Sequence, residues 1–300
     1  MTKVAQGHRR TASIALAVGI ATAAVVSGGC STTIPGAPVA ASAAHAVTYG
    51  PQVELPFGKL INHLAGVAVD AADNVYVLDL HYGQVWEMPA GTNHPAPLPF
   101  RDLGQALDAA VDTAGNLYVT DGHHKRVLKL TPGSTKPTVL PFTGLDVIVG
   151  LAVDAAGTAY VSDSGTQQVL RLAQGSSIPT ALPLNGIHPG GVAVDANGDV
   201  YVVDSGGKRV LRLAPGADSP SVLPFTDLQL PGDVAVDRGG NVYVTDFSAN
   251  RVLKLNRGAS APTVLPFHNL KNPGSVAVDS GGNVYLNDSS HFRILKLPAR

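Results

Sequence analysis

Six aspartates recur through this sequence at nearly constant spacing: Asp70, Asp112, Asp154, Asp195, Asp237 and Asp279, separated by 42, 42, 41, 42 and 42 residues. A second set, Asp79, Asp121, Asp163, Asp204, Asp246 and Asp288, follows each of these nine residues later. Carboxylates in such number could ligate calcium or serve as acids and bases. A residue present in every copy of a unit, however, maintains the unit, and function gathers where copies differ. The first set is read as turn residues whose carboxylates accept neighbouring N–H groups. The second is read as structural partners of Arg126, Arg209, Arg251 and Arg293, each five residues downstream, with Gln84 and Gln168 at that place in the first and third units.

Histidine breaks the repetition, so it is the better guide to chemistry. His63, His188 and His268 fall before an Asp-terminated apolar run, and His81, His123, His124 and His291 fall just after the second aspartates. Only His94 lies elsewhere in the repeated region. His63 and His188 occupy the same place in the first and fourth units. With Asp108 and Tyr82 they could furnish a metal site or an acid–base set, although no metal-ligand spacing occurs along the chain. The single cysteine excludes a disulfide scaffold and a cysteine zinc cluster. No strained Gly-x-Ser-x-Gly elbow is present. His63, His188, His123 and Phe247 are the candidate ligand contacts, and no cofactor, resident metal or catalytic residue is expected.

The elements that must position these residues follow from the period. Tyr76, Tyr118, Tyr160, Tyr201, Tyr243 and Tyr285 keep phase with the aspartates, and Leu-Pro-Phe recurs at Leu55, Leu98, Leu140, Leu223 and Leu265, with Leu-Pro-Leu at Leu182. A unit of about 42 residues suits helical arrays or propeller blades. The runs inside it are short, rich in Val, Leu and Tyr, and separated by clusters such as Asp237-Arg238-Gly239-Gly240-Asn241, which is the punctuation of strands. Each unit thus predicts four antiparallel strands, a to d; in the first unit a is Val67–Asp70, b is Val75–Asp79, c is Gln84–Met88, and d contains Leu98-Pro99-Phe100. An Ala recurs in every strand a, from Ala68 to Ala277, and small residues suit the narrow inner end of a blade. The proline in d places that strand at the outer edge, where a missing donor does no harm. The sixth unit ends after strand c, while residues 52–57 form a d-like segment with no unit of its own. The expected fold is all-β: a six-bladed β-propeller with four antiparallel strands per blade, closed by the N-terminal strand. In that fold the d–a and b–c loops emerge on one face, which gathers seven of the eight histidines.

The motifs P-G-x-V-A-V-D, G-N-V-Y-V-x-D and R-V-L-K-L resemble NHL repeats over residues 52–300, most of all those in the extracellular sensor domain of the mycobacterial serine/threonine kinase D. The resemblance implies a six-bladed ligand-binding propeller. The kinase motifs themselves (Gly-rich phosphate loop, Val-Ala-Ile-Lys, His-Arg-Asp, Asp-Phe-Gly) do not occur in these 300 residues. Some propellers of this type resemble zinc-dependent amidating and streptogramin-type lyases, which keeps a lyase or hydrolase with a metal site on the ligand face as the alternative.

The first residues read as an address. Lys3, His8, Arg9 and Arg10 precede the uncharged apolar run Ile14 to Val26, and small residues lead to Cys30. This is the pattern of an export signal, too short to span a membrane. Val26-Ser27-Gly28-Gly29-Cys30 resembles a bacterial lipobox, with Ser27 where that pattern has an aliphatic residue. The expected domains are a signal peptide over 1–29, a lipid-anchored Ala-, Ser- and Pro-rich tether over 30–50, and the propeller over 51–300. The expected location is the extracytoplasmic face of the cell membrane. After loss of 1–29 the chain holds 18 basic and 22 acidic residues, net −4, which argues against nucleic acid. The expected partner is a protein, peptide, glycan or small molecule of the envelope, bound by a monomer.

Overall fold

The computed structural model describes residues 47–61 and 63–300; the segment read as an export signal and Cys30 lie outside them. Among the described residues, 24 strands form six four-stranded antiparallel sheets. Five sheets are built from consecutive strands, as in blade one: a (Leu64–Val69), b (Val75–Asp79), c (Gln84–Met88) and d (Ala96–Pro97). The sixth takes strands a to c from Pro273–Leu297 and its outer strand from Val53–Glu54, with Val53 opposite Lys296 and Glu54 opposite Leu295. The ring is therefore closed by the N-terminal strand. Pairing reaches further toward the N-terminus than residues 52–57: Tyr49 bridges Ala299, and the Arg300 N–H donates to the Thr48 carbonyl.

Strand d is shorter than the Leu-Pro-Phe pattern suggests. It ends at Pro97, the Leu98 N–H still donates to Val85, and Pro99, which has no N–H, ends the ladder. The Phe100 N–H then closes onto the Leu98 carbonyl and its ring is buried against blade two. The tripeptide is a turn that sends an aromatic ring into the interblade core.

That core lies between blades. Strand b is buried throughout in every blade, because neighbouring sheets cover both its faces. Leu55, Phe57 and Ile61 from the N-terminal segment join Val77 and Met88 of blade one and Tyr285 and Ile294 of blade six in one cluster. Phe57 is 1% exposed, and a ring so buried contributes about 2–3 kcal/mol.

The two aspartate sets lock the turns. The Asp70 carboxylate accepts the Ala72 and Asn74 N–H groups on one oxygen, and the Asn74 amide and Tyr76 hydroxyl on the other. The same Asp–Tyr bond recurs at Asp112, Asp154, Asp195, Asp237 and Asp279. In the second set, buried Asp204 accepts the His188 and Gly207 N–H groups and Arg209 Nε at 2.8 Å, tying a d–a loop to a b–c turn. Where Gln84 replaces the arginine, its amide donates to the Val85 and Leu98 carbonyls.

Candidate functional site at the channel mouth and its loops

Five of the six a strands begin with a register shift against b. In blade five Pro231 pairs with Asp246 and Val234 with Val244, so strand a carries one extra residue. Such a bulge frees an N–H from the ladder and re-aims a side chain. The freed Asp233 N–H donates to Thr245 Oγ1 at 2.9 Å, as that of Gly150 does to Ser162 Oγ in blade three. Blade two makes the equivalent bond from Asp108 to Thr120 Oγ1. The residue at this position is Gly66, Asp108, Gly150, Gly191, Asp233 or Ser275 in blades one to six. Blades two and five stand opposite each other, so two carboxylates meet across the axis. They line a cavity of about 270 Å³ at the face of the d–a and b–c loops, together with Leu64, Leu107, Val149 and Ser275.

Each carboxylate bridges to the next blade. Asp108 accepts the Ala109 and Leu151 N–H groups at 2.8 and 2.7 Å, and Asp233 accepts those of Val234 and Val276 at 2.8 and 2.9 Å. The glycine column makes room: a Cβ on Gly191 would overlap the Asp233 carboxylate. Burial pushes the Asp233 carboxyl up to about 6 against the pull of its N–H donors. Burial, and then the facing charge of Asp233, holds Asp108 well above the usual carboxylate range.

Around this mouth, the loops at the junction of blades six and one form a chain of rings. His63 lies 5.5 Å from Phe292 and 5.7 Å from His81, centroid to centroid, and His81 stands edge-on to Tyr82 at 4.7 Å. Tyr82 and Phe292 are exposed at 65% and 45%, which for rings of this size leaves a broad apolar surface in water. The backbone beneath is fixed by Asp79, which accepts the His81 and Tyr82 N–H groups, and by a left-handed turn at Phe292 with φ 52°.

The other candidates stand apart. His188 is exposed, pressed against Gly206, with its ring Nε2 3.5 Å from the Gln167 amide. His123 packs on Gly104 and edge-on to His124, which turns its Nδ1 to Asp121 at 2.9 Å. Phe247 is half-buried in blade five, its backbone bonded to Leu230 and Asn272. None of the four lines the axial cavity. Among the described residues no three His, Cys, Asp or Glu side chains come together as a set able to hold a metal ion. Asp233 escaped the sequence reading, although its signal was present: two acidic residues three units apart in a column otherwise of Gly and Ser.

Comparison with known proteins places this architecture. The model of the NHL repeat matches residues 187–213 and 228–255, which hold strands a to c of blades four and five. No curated protein matches the sequence. Among solved structures, a nidogen/laminin complex is 23% identical over 71% of this chain and 84% of that one, with a TM-score of 0.65. A catalytically inactive virginiamycin B lyase from Staphylococcus aureus with quinupristin is 12% identical, covering 84% and 99%, with a TM-score of 0.63. A gluconolactonase from Xanthomonas campestris is 16% identical, covering 80% and 87%, with a TM-score of 0.66. At these identities the likeness is one of fold. The chain is thus built as a six-bladed β-propeller, two of whose blades match the NHL repeat.

Proposed function

We propose that this protein is an extracytoplasmic binding module, a sensor- or adaptor-like propeller without kinase activity, held to the cell membrane by lipid on Cys30 and capturing its ligand on the d–a and b–c loops. The observation that carries this reading is the exposed chain Phe292, His63, His81 and Tyr82. Four rings in contact offer flat apolar area at low entropic cost, and two imidazoles and a phenol add hydrogen bonds at the edges. Peptides, glycans and small molecules of the envelope are the classes that such a surface holds. The test is capture from an envelope extract by the wild-type propeller and by a variant carrying His63→Ala, Tyr82→Ala and Phe292→Ala. Loss of a partner with an unchanged melting temperature supports the reading, and equal capture refutes it.

A second reading, a lyase or hydrolase, is favoured by the facing carboxylates at the axial cavity. Asp233, with its carboxyl raised to about 6, is suited to hold or release a proton near neutral pH. Turnover of a lactone or of a streptogramin-type depsipeptide, lost on Asp233→Asn and kept by the triple ring variant, would favour catalysis.

A further inference from the structure

On the opposite face, where the a–b and c–d loops emerge, adjacent blades leave a cleft between them. Cavities of about 440, 490 and 290 Å³ lie between blades one and two, three and four, and four and five. Each is bounded by the conserved-in-repeat Asp–Tyr pair of one blade and the turn after strand c of the next. The cleft between blades five and six is different, because the chain fills it itself. Tyr49 enters there, and its hydroxyl accepts a hydrogen bond from Lys254 Nζ at 3.0 Å and lies 3.5 Å from the Tyr243 hydroxyl. Lys254, 5% exposed, sits over both rings, 5.3 Å from that of Tyr49 and 5.2 Å from that of Tyr243.

Register identifies what stands in the same place elsewhere. Val53 pairs with Lys296 as Ser221 pairs with Arg212 in blade four, so Tyr49 corresponds to Ala217. By the same count the other blades place Thr92, Ser134, Ser176 and Ala259 there. A small residue in these blades thus stands where the sixth presents a phenol, and Ser134 and Ala217 each line an open cavity. The polar ends of the clefts then separate them. Between blades four and five, Arg212, opposite Tyr201, is held by Asp199 at 2.6 Å. Between blades one and two, Glu87 stands opposite Tyr76 and puts a carboxylate where Lys254 puts a cation. Between blades three and four, Arg171 stands opposite Tyr160, Thr158 replaces the competing aspartate, and among the described residues no ion pair engages the guanidinium.

We propose that the cleft between blades three and four binds a tyrosine side chain presented by an extended partner peptide, with the ring beside Ala217, Leu182 and Pro215 and the hydroxyl toward Arg171 and Tyr160. The occupant is argued from the molecule itself, since Tyr49 and Lys254 display the same recognition in the cleft between blades five and six. A cavity of about 490 Å³ falls in the ~300–1,000 Å³ range of ligand pockets. Its guanidinium, beside the Tyr160 hydroxyl and outside any ion pair among the described residues, complements a phenol oxygen, as Lys254 does that of Tyr49.

The test uses N-acetyl-L-tyrosinamide, titrated into the isotope-labelled protein and followed by amide chemical shifts. Saturable shifts at Tyr160, Arg171 and Ala217 are expected, with N-acetyl-L-alaninamide giving none. Ala217→Tyr supplies a ring from within and should weaken binding at least tenfold. Arg171→Met, a milder change, should bring the affinity for the tyrosine probe down to that for N-acetyl-L-phenylalaninamide. Tyr49→Ala should open a second site, seen as new saturable shifts at Tyr243 and Lys254. Absence of saturation at the first cleft, or undiminished binding by both Ala217→Tyr and Arg171→Met, overturns the proposal. The triple ring variant on the other face leaves this binding untouched, so the two sites fail or stand separately.

Discussion

The facing carboxylates make stability fall as pH rises, the reverse of the usual behaviour of aspartates. An unfolded aspartate has a pKa near 3.8, and burial raises that of Asp233 to about 6 in the folded protein. Between these values the folded state binds more protons than the unfolded one, so unfolding free energy falls with pH, by at most about 1.4 kcal/mol per unit for one group. Over the window from about pH 4 to 6 this amounts to about 3 kcal/mol, and Asp108, raised for the same reason and by the facing charge, acts in the same direction. For a body of this size that is roughly 6–12 °C in Tm. Asp112 and Asp204, held low by their hydrogen-bond donors, oppose it, but their contribution is complete above the unfolded pKa and is lost only at lower pH. Asp233→Asn mimics the neutral acid. It keeps an oxygen for one N–H and loses the other acceptor, at about 1 kcal/mol, so a net gain of about 2 kcal/mol is expected at pH 7 and a net loss of about 1 kcal/mol at pH 4. Urea unfolding from pH 4.5 to 7.5, read by the fluorescence of the single tryptophan, Trp86, measures both slopes. A wild-type stability that rises through this window, or an Asn variant with the same slope, would refute the account.

Two further outcomes test the frame. Removing residues 1–46 should leave Tm nearly unchanged, whereas removing 1–57 should lower it by roughly 10 °C or more, because it strips the outer strand of blade six and the buried Phe57; differential scanning calorimetry of the two truncations decides. Cys30→Ala should shift the protein from the detergent phase to the aqueous phase in a partitioning assay, since a lipoprotein's two or three acyl chains hold firmly where one does not.

The fold was legible because every level of the sequence agreed. The period gave the blade count, β-branched runs gave the strands, and an orphan strand at one end matched a missing strand at the other. Ala68 and its equivalents set inner from outer. What the local pattern misplaced was Pro99, read as part of the edge strand. It stands just past it, because an edge defined by missing donors and a turn that ends the ladder leave the same mark in sequence.

The site was less legible for a physical reason. Strand and turn positions depend on neighbours a few residues away, whereas Asp108 and Asp233 are 125 residues apart and meet only through closure of the ring. Asp233 is aimed into the channel at a bulge that alternation of side chains does not encode. Likewise, His63 was matched with His188 by equivalence of blades, yet its contacts are the neighbours His81 and Phe292 across the junction where the ring closes. Symmetry correctly assigns each residue to a face but is blind to the junction of blades six and one. The exposed rings of Phe292, His63, His81 and Tyr82 gather at that seam. Closing the ring with a separate strand therefore does two things: it completes the core at Phe57 and sets apart one interblade face whose loops carry the rings of His63, His81, Tyr82 and Phe292.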